Sequence, residues 1–520
     1  WLLYFGRTGF FGSFIVCCAA RRIQNNSKKK TAMKYDVIII GSGLGGLACA
    51  HILSKAGKSV LVLEKEVQPG GCLQSYIRNG FVFDTGFHYV GGLAEGQSLY
   101  AMFKMLGLEN LPWRRMDEAF DRIQIGNQKF SFLQGYDNFM GNLQKSFPDE
   151  REALKQYIHL LKQTEQEQIS LLKSDRDLPS FSLFETSAWQ YLTKMFNNSL
   201  LINVLSATSL KMELRKESLP LFNFLLGNAS FIESSWRLKG PGSLIVDSLI
   251  RDIRKQGGGI ICRTTVEELV EKNGRVVCVR CSDGQVYEAE YFISDVHPAV
   301  TCSWIKQSKV MRSIYLKRIR ALDNTFGMLT VSLVVKPQKI KYFNWNQYIY
   351  KRNDVWTFYQ ENSSVDRLLI TARLPEDGGE YLRQIDLITP MSWDNCSRWA
   401  QTSVGHRGEE YVEMKQRLAA ECIGLAEHFI PDLGKMVEQF YVSTPLTYRD
   451  YTGTPEGSAY GIRKDYHNPM MTILSPRTPL HNLLLTGQNL ILHGIHGVTM
   501  TAVYTCAEIL GKEYMYNQLK

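Results

Sequence analysis

The sequence lacks a long apolar run and a second chelating cysteine pair. Residues 10–20 form an apolar stretch that is shorter than the about 20 residues a membrane-spanning helix needs. Among eleven cysteines, only Cys278 and Cys281 have a metal-binding spacing, and one such pair alone is not a zinc site. We predict a hairpin over residues 275–287, on which residues three apart point to opposite faces. The sequence therefore predicts no metal site, and its scattered cysteines indicate buried thiols in a reducing, cytoplasmic compartment.

Internal repeats, a phosphate-binding P-loop and a serine nucleophile elbow are also missing from the sequence. The remaining glycine clusters do not repeat the strand, helix and acidic residue of a dinucleotide site, apart from the one near the N-terminus described below. The sequence therefore predicts a single dinucleotide-binding site.

Acidic residues are absent before Met33, and this explains much of the net charge of +9. Without an arginine-aromatic stripe or a helix-turn-helix pattern, this charge does not indicate nucleic-acid binding. We predict that residues 1–32 are a leader or extension outside the fold; the alternative is a membrane-surface anchor, which would give a peripheral membrane contact. Six basic residues carry the charge of this segment: Arg7, Arg21, Arg22, Lys28, Lys29 and Lys30.

The strongest motif is a complete dinucleotide-binding unit over residues 36–64. The apolar run Val37–Ile40 is typical of a parallel strand covered on both faces. The glycines that follow allow a tight turn, a close approach of a pyrophosphate and close helix packing. Glu64 ends the second strand, where its carboxylate accepts hydrogen bonds from ribose hydroxyls and repels a 2′-phosphate. The unit predicts FAD or NAD rather than NADP, with these contacts: Gly41, Ser42, Gly43, Gly45, Gly46, Glu64 and Lys65.

The rest of the chain predicts an α/β fold in which an FAD-binding Rossmann-like domain is interleaved with an α+β substrate domain. We assign residues 33–97, 236–300 and 470–520 to the first domain, and residues 98–235 and 301–469 to the second. Predicted helices cover residues 149–172, 189–196, 200–209, 219–231, 243–256, 409–429 and 497–510. Predicted strands cover residues 260–262, 291–294, 326–335, 366–373 and 381–387, and residues 483–489 are predicted to be a buried strand that ends in a loop.

Two further blocks resemble the phytoene-desaturase and retinol-saturase group of FAD-dependent oxidoreductases, within the amine-oxidase-like superfamily. The loop Gly70-Gly71-Cys72 has the Gly-Gly-Cys of retinol saturases, where many amine oxidases carry Gly-Gly-Arg. The block over residues 83–91 also resembles the saturase pattern more closely than the amine-oxidase pattern. The resemblance extends from about Tyr35 to the C-terminus and implies an FAD enzyme of this group.

The resemblance implies additional FAD contacts. Gly70, Gly71 and Cys72 form the loop after the second strand. Val266 corresponds to a backbone clamp on the adenine, although a plain core valine is an equally good interpretation. In the C-terminal block, a glycine turn and a helix N-terminus meet the ribityl and pyrophosphate groups, which implies contacts from Gly487, Gln488, Val498 and Thr499.

The catalytic residues are less well determined by the sequence. Reduction of a conjugated alkene needs a hydride and a placed proton donor. Tyr460, in a Gly-x-x-Tyr-Gly match, and His88 are the two candidates, and packed polar residues are the alternative for both. His493 and His496 are interpreted as residues of a cofactor loop rather than as metal ligands.

The expected function is oxidoreduction at a carbon-carbon double bond of an apolar polyene or isoprenoid, such as a carotenoid or retinoid. The apolar segment 200–236 would wall a substrate tunnel, or would form an ordinary helical core. Saturation, desaturation and isomerisation stay open, as does the oligomeric state. Because the sequence has a single nucleotide site, NAD(P)H, if it is the electron source, is expected to be a transient donor whose nicotinamide visits the flavin. The alternatives are a flavin amine oxidase and a non-enzymatic prenyl-binding protein of the Rab GDP-dissociation-inhibitor type, which shares this fold and uses no flavin.

Overall fold

The computed structural model describes residues 34–170, 181–357, 364–375 and 378–520. The predicted leader or extension, residues 1–32, lies outside these ranges. Within them, no helix is both long enough and apolar enough to cross a membrane.

Nineteen strands occur in the described residues. In chain order they are β1 Lys34–Ile40, β2 Val60–Leu63, β3 Ser75–Arg78, β4 Phe81–Asp84, β5 Val90–Gly91, β6 Trp113–Arg115, β7 Ala119–Ile125, β8 Gln128–Leu133, β9 Ser235–Leu238, β10 Gly259–Ile261, β11 Val266–Lys272, β12 Arg275–Cys281, β13 Val286–Ser294, β14 Gly327–Val335, β15 Asn346–Tyr350, β16 Arg367–Ala372, β17 Gln384–Met391, β18 Val437–Ser443 and β19 Leu483–Leu485.

Seventeen α-helices occur in the same residues. They are α1 Leu44–Lys55, α2 Ser98–Leu106, α3 Tyr136–Ser146, α4 Arg151–Ser170, α5 Phe181–Phe184, α6 Ala188–Met195, α7 Ser199–Ser206, α8 Leu221–Glu233, α9 Ser243–Lys255, α10 Pro298–Ser303, α11 Ser313–Arg320, α12 Glu409–Ala426, α13 Leu433–Met436, α14 Pro445–Thr452, α15 Pro469–Thr472, α16 Gly494–Leu510 and α17 Lys512–Gln518.

The first sheet has the strand order β10-β2-β1-β13-β12-β11, and β19 pairs with the C-terminal half of β13. Strands β10, β2, β1, β13 and β19 pair with one another in parallel, whereas β11, β12 and β13 form an antiparallel meander. The last four residues of β1 are fully buried, as expected for a strand covered on both faces. Because the carboxyl ends of the parallel strands meet at one edge, this edge is the expected ligand site.

The second sheet has the order β18-β14-β17-β16-β15-β7-β8 and is antiparallel except between β15 and β7. One face packs against helices α3, α4, α6, α7 and α8, and the other packs against α12. The predicted helices and strands of this region are confirmed to within a few residues, but the sequence missed β7, β8, β15 and β18. The region is therefore a sheet between two helical layers.

The hairpin predicted over residues 275–287 is confirmed, since β12 and β13 pair antiparallel around the turn that contains Gly284. Nine cysteines lie in the described residues and none forms a disulfide. Seven of them are buried, as expected, whereas Cys262 is half-buried and Cys72 is exposed.

The division into two interleaved domains stays a prediction, but the packing crosses its boundaries. Leu99, Phe103 and Leu106 of α2 share a core with Leu47 of α1, so this core continues past residue 97. Ile305 and Met311 pack with strands of the first sheet, so it also continues past residue 300.

Candidate functional site

A cavity of about 450 Å³ begins at the carboxyl edge of the first sheet and extends under the second sheet. Its volume lies within the roughly 300–1,000 Å³ of small-molecule sites. The edge of the first sheet contributes these lining residues: Gly41, Ser42, Gly43, Gly45, Glu64, Lys65, Val266 and Asp295. The opposite end is mostly apolar and is lined by Leu210, Lys211, Leu226, Phe231, Met328, Leu369, Ile388, Tyr448 and Tyr460.

The turn between β1 and α1 depends on two glycines. Gly41 has a φ of +96°, which favours glycine. A Cβ on Gly46 would lie 2.2 Å from the carbonyl oxygen of Gly41, so only glycine lets α1 pack this closely on the end of β1. Gly43 caps α1 without a side-chain hydrogen bond, and the first turn has no acidic residue. The positive end of this helix is thus suited to an anion in the cavity.

Glu64 is held in place with part of its carboxylate still unused. Its Oε2 accepts hydrogen bonds from the backbone N–H of Ser42 at 2.9 Å and from the Ser42 hydroxyl at 2.5 Å. Its Oε1 accepts from the backbone N–H of Glu66 at 2.8 Å. A carboxylate has about four acceptor positions, so one stays available for a ligand hydroxyl. This is the arrangement that a ribose needs.

Asp295 is a site residue that the sequence analysis missed. It follows β13 directly, and its backbone N–H bonds the carbonyl of Ile40 at 2.9 Å. A Cβ on Gly43 would lie 2.5 Å from Asp295 Oδ2, and one on Gly45 would lie 2.5 Å from Oδ1. Burial raises the pKa of Asp295 to about 7; a hydrogen bond from the Gly46 N–H opposes this shift, and the charge of Glu64 adds to it. Its position after a predicted buried strand was the available signal.

The loop Gly70-Gly71-Cys72 also lines the cavity. Gly70 and Gly71 have φ values of +120° and +54°, which turn the chain so that Cys72 exposes its side chain into the cavity. Burial within the protein, followed by the charge of Asp295, raises the pKa of the Cys72 thiol to about 11. The thiol is therefore protonated at neutral pH.

Both catalytic candidates line the cavity. Burial and then the charge of Arg237 lower the pKa of His88 to about 4, so its imidazole is neutral at pH 7. The Tyr460 hydroxyl donates to the carbonyl of Leu210 at 2.6 Å, and its ring stacks on His493 at a centroid distance of 4.2 Å. Burial raises the pKa of Tyr460 above its ordinary value, so this hydroxyl keeps its proton over the physiological pH range.

His493 and His496 also line the cavity, as expected for residues of a cofactor loop. The Nε2–H of His493 donates to the carbonyl of Lys211 at 2.7 Å. His496 Nε2 lies 3.0 Å from the hydroxyl of Ser98, which donates to Glu165 at 3.0 Å. Because the Ser98 hydroxyl uses its proton in the hydrogen bond to Glu165, it accepts a hydrogen bond from Nε2–H of His496. Its buried Nδ1 is then an acceptor without a partner, suited to a ligand N–H or O–H group.

The structure brings most of the remaining predicted residues to the cavity. Lys65, Val266, Gln488 and Val498 line it. Gly46, Gly487 and Thr499 do not line it. Gly46 instead serves helix packing, and the Thr499 hydroxyl donates to the carbonyl of Ile495 at 2.7 Å. The side chain of Thr499 is therefore turned to its own helix, because a threonine hydroxyl readily bonds the carbonyl one turn earlier.

Comparison with known proteins agrees with this geometry. The model of the family of flavin containing amine oxidoreductases matches residues 44–510. The chain belongs to this family. It is therefore a flavin-dependent oxidoreductase with an FAD-binding α/β fold.

Individual proteins resemble the chain at low sequence identity. All-trans-retinol 13,14-reductase from Macaca fascicularis is 25% identical, over 95% of this chain and 88% of that protein. Prolycopene isomerase 2, chloroplastic, from an Oncidium hybrid cultivar is 25% identical, over 84% of this chain and 76% of that protein. An oxidoreductase structure from Methanosarcina mazei has a TM-score of 0.61 and 17% identity, over 90% of this chain and 99% of that one, and so shows the fold alone.

The residues present fit FAD. The two glycines and the uncapped N-terminus of α1 suit a pyrophosphate, and Glu64 suits a ribose. The cavity continues from this edge to a largely apolar end, whose lining suits an aromatic ring and an apolar substrate. Among the described residues, no cluster of three His, Cys, Asp or Glu side chains is arranged to hold a metal ion.

We predict that Asp295 takes up a proton when FAD binds. The pyrophosphate is anionic, so the ionised carboxylate opposes it and the protonated form tolerates it. Because the pKa of free Asp295 is about 7, FAD affinity should fall above pH 7, by up to about tenfold per pH unit. Fluorescence titration of the apoprotein with FAD between pH 6 and pH 8.5 measures this.

The Asp295→Asn variant should bind FAD with a flatter pH profile and more tightly than the wild type at pH 8. Asp283→Asn, at the exposed hairpin turn, is the matched control and should keep the wild-type profile. Identical profiles for Asp295→Asn and the wild type would rule out this role for Asp295.

Proposed function

We propose that this protein reduces a carbon-carbon double bond of an apolar polyene or isoprenoid, with FAD as cofactor and NAD(P)H as a transient electron donor. The observation that carries this proposal is the apolar end of the cavity, which is continuous with the dinucleotide edge. Leu210, Leu226, Phe231, Met328 and Ile388 line that end, and such side chains stabilise a hydrocarbon by excluding water from it. The names of the relatives, a retinol reductase and a prolycopene isomerase, are of the same substrate class.

The segment 200–236 that we expected to wall a tunnel contributes only part of itself to the cavity. Leu210, Lys211, Leu226, Gly227, Ser230 and Phe231 line the cavity, whereas the neighbouring helix residues Leu201, Val204 and Leu205 belong to the adjoining core. Some residues of this segment therefore wall the cavity, and others form an ordinary helical core.

The same end of the cavity speaks against an amine substrate. Lys211 lines it, and the buried guanidinium of Arg237 lies close enough to lower the pKa of His88. A protonated amine would meet positive charge there, whereas a neutral polyene pays no such electrostatic cost. A prenyl-binding protein without flavin would not need the glycine cradle and Glu64.

In this reaction the π bond breaks and two C–H bonds form. A bound reduced flavin supplies hydride chemistry for one carbon, and NAD(P)H, oxidised to NAD(P)⁺, restores the electron pair. The chain must supply the proton for the other carbon. Tyr460 is our first candidate because its hydroxyl stays protonated and lines the cavity, and the neutral His88, which also lines the cavity, is the second.

The function is tested with the purified holoprotein under anaerobic conditions. We expect a yellow protein whose absorbance near about 450 nm is bleached by NADPH or NADH and is restored by an all-trans polyene. Bleaching by a primary amine with no response to polyenes would instead favour the amine oxidase. A colourless protein after FAD addition would favour the prenyl-binding protein.

We expect Tyr460→Phe to lower kcat by about 10²- to 10⁴-fold, the usual contribution of a placed proton donor, while flavin content stays unchanged. Stopped-flow reoxidation of the reduced enzyme by polyene measures the effect. Tyr448→Phe is the matched control, since Tyr448 also lines the cavity and its hydroxyl lies 2.8 Å from that of Thr330. If Tyr460→Phe keeps kcat within about threefold of the wild type, the same measurement on His88→Gln tests the second candidate.

A further inference from the structure

The apolar end of the cavity contains one ammonium group, that of Lys211. Lys211 ends a short turn over residues 209–211, and its backbone carbonyl is held by His493. Its Nζ lies 4.1 Å from the ring centroid of Phe231 and 5.9 Å from that of Tyr89. In the described part of the chain, no carboxylate oxygen lies within 4.0 Å of this Nζ. The ammonium thus meets aromatic faces and the cavity rather than an ion-pair partner.

The negative charge that acts on Lys211 is that of Asp121, which is fully buried on β7. Its carboxylate already has partners, because the side-chain N–H of Asn346 donates to it at 2.9 Å and the hydroxyl of Tyr89 at 3.3 Å. The Tyr89 hydroxyl also lies 3.1 Å from that of Tyr348. Neutral groups thus orient the Asp121 carboxylate, and its single negative charge acts on two cations.

The second cation is Arg237, which is 3% exposed. Its guanidinium donates to neutral oxygens, among them the side-chain oxygen of Asn346 at 2.8 Å and the Thr371 hydroxyl at 3.0 Å. At the apolar end of the cavity, two cations, Lys211 and Arg237, are therefore opposed by one carboxylate, that of Asp121. Burial lowers the pKa of Lys211 to about 8 and raises that of Asp121 to about 6, so at pH 7 all three are mostly charged and a net positive charge remains.

A net positive charge in an apolar cavity is costly unless a ligand compensates it. A carboxylate at the end of an apolar chain would do so, since it could accept charge-assisted hydrogen bonds from Nζ while the chain lies along the apolar wall. A hydroxyl accepts only a neutral hydrogen bond, and a hydrocarbon accepts none.

We propose that Lys211 anchors a carboxylate at the end of the substrate, so that this cavity prefers a polyene or isoprenoid carboxylate over the alcohol or hydrocarbon of the same chain. The proposal rests on the proposed function for the chain that is bound, and it adds the chemistry of the end group. Lys211 is the specificity-determining residue in it.

Binding to the holoprotein at pH 7 tests the proposal, with all-trans-retinoic acid, all-trans-retinol and the corresponding hydrocarbon as probes. Quenching of tryptophan fluorescence gives each Kd without turnover. We expect the wild type to bind the acid about 10- to 100-fold more tightly than the alcohol, as for a hydrogen bond to a charged group. Lys211→Met should lose this preference and bind the alcohol within about threefold of the wild type, whereas Lys211→Arg should keep the preference.

Lys216→Met is the matched control, because Lys216 is on the same segment but pairs with Asp354 at 2.8 Å and does not line the cavity. In the wild type, the preference should also decline above about pH 8, where free Lys211 loses its proton. Equal affinity of the wild type for acid and alcohol, or an unchanged preference in Lys211→Met, would overturn the proposal.

Failure of the proposed function can be told apart from failure of this proposal. If no polyene reoxidises the reduced flavin but Lys211-dependent binding of the acid persists, only the reaction is wrong. If polyenes are reduced without an acid preference, only the anchor is wrong.

Discussion

The contact between α1 and the end of β1 is the constraint on which the rest of the site depends. Gly46 packs against the carbonyl of Gly41 at a distance that no side chain would allow. This contact fixes the first turn of α1 over the carboxyl edge of the sheet. Glu64 and Asp295 end the two strands next to β1, so both carboxylates reach the same edge. The helix terminus favours anions and the ionised carboxylates oppose them, so we expect the protonation state of Asp295 to decide which effect is larger.

The cavity therefore has two ends of opposite electrostatic character. At the dinucleotide edge, Glu64 and Asp295 are the buried acidic groups, and hydrogen bonds from backbone N–H groups hold them. At the other end, Lys211 and Arg237 exceed the charge of Asp121. Between them lie His88, which is neutral because burial lowers its pKa, and the protonated Cys72. This middle section thus carries little charge, as a site for chemistry on a hydrocarbon requires.

The sequence was most informative where structure is local. The run Val37–Ile40 of β1 and the whole of β2 are short, fully apolar and bounded by glycine or an acidic residue, so their burial and their partner helix followed from the pattern. Strand β15 was missed for the opposite reason. It begins Asn346-Gln347, and its polar groups are satisfied by Arg237 and Asp121 from distant segments. No neighbouring residue reveals such pairing, and the strand is only five residues long.

The sequence by itself determined the dinucleotide unit, the parallel strands around it and the family resemblance, because glycine spacing and apolar runs act over a few residues. It also predicted His88 and Tyr460 as catalytic candidates, and the fold brings both residues to one cavity. Only the tertiary structure decided that Asp295 lies beneath the glycine turn, that Thr499 bonds its own helix, and that Lys211 faces the cavity. Those outcomes depend on burial and on partners far away in the chain, and burial is what sets the charge of a titratable group.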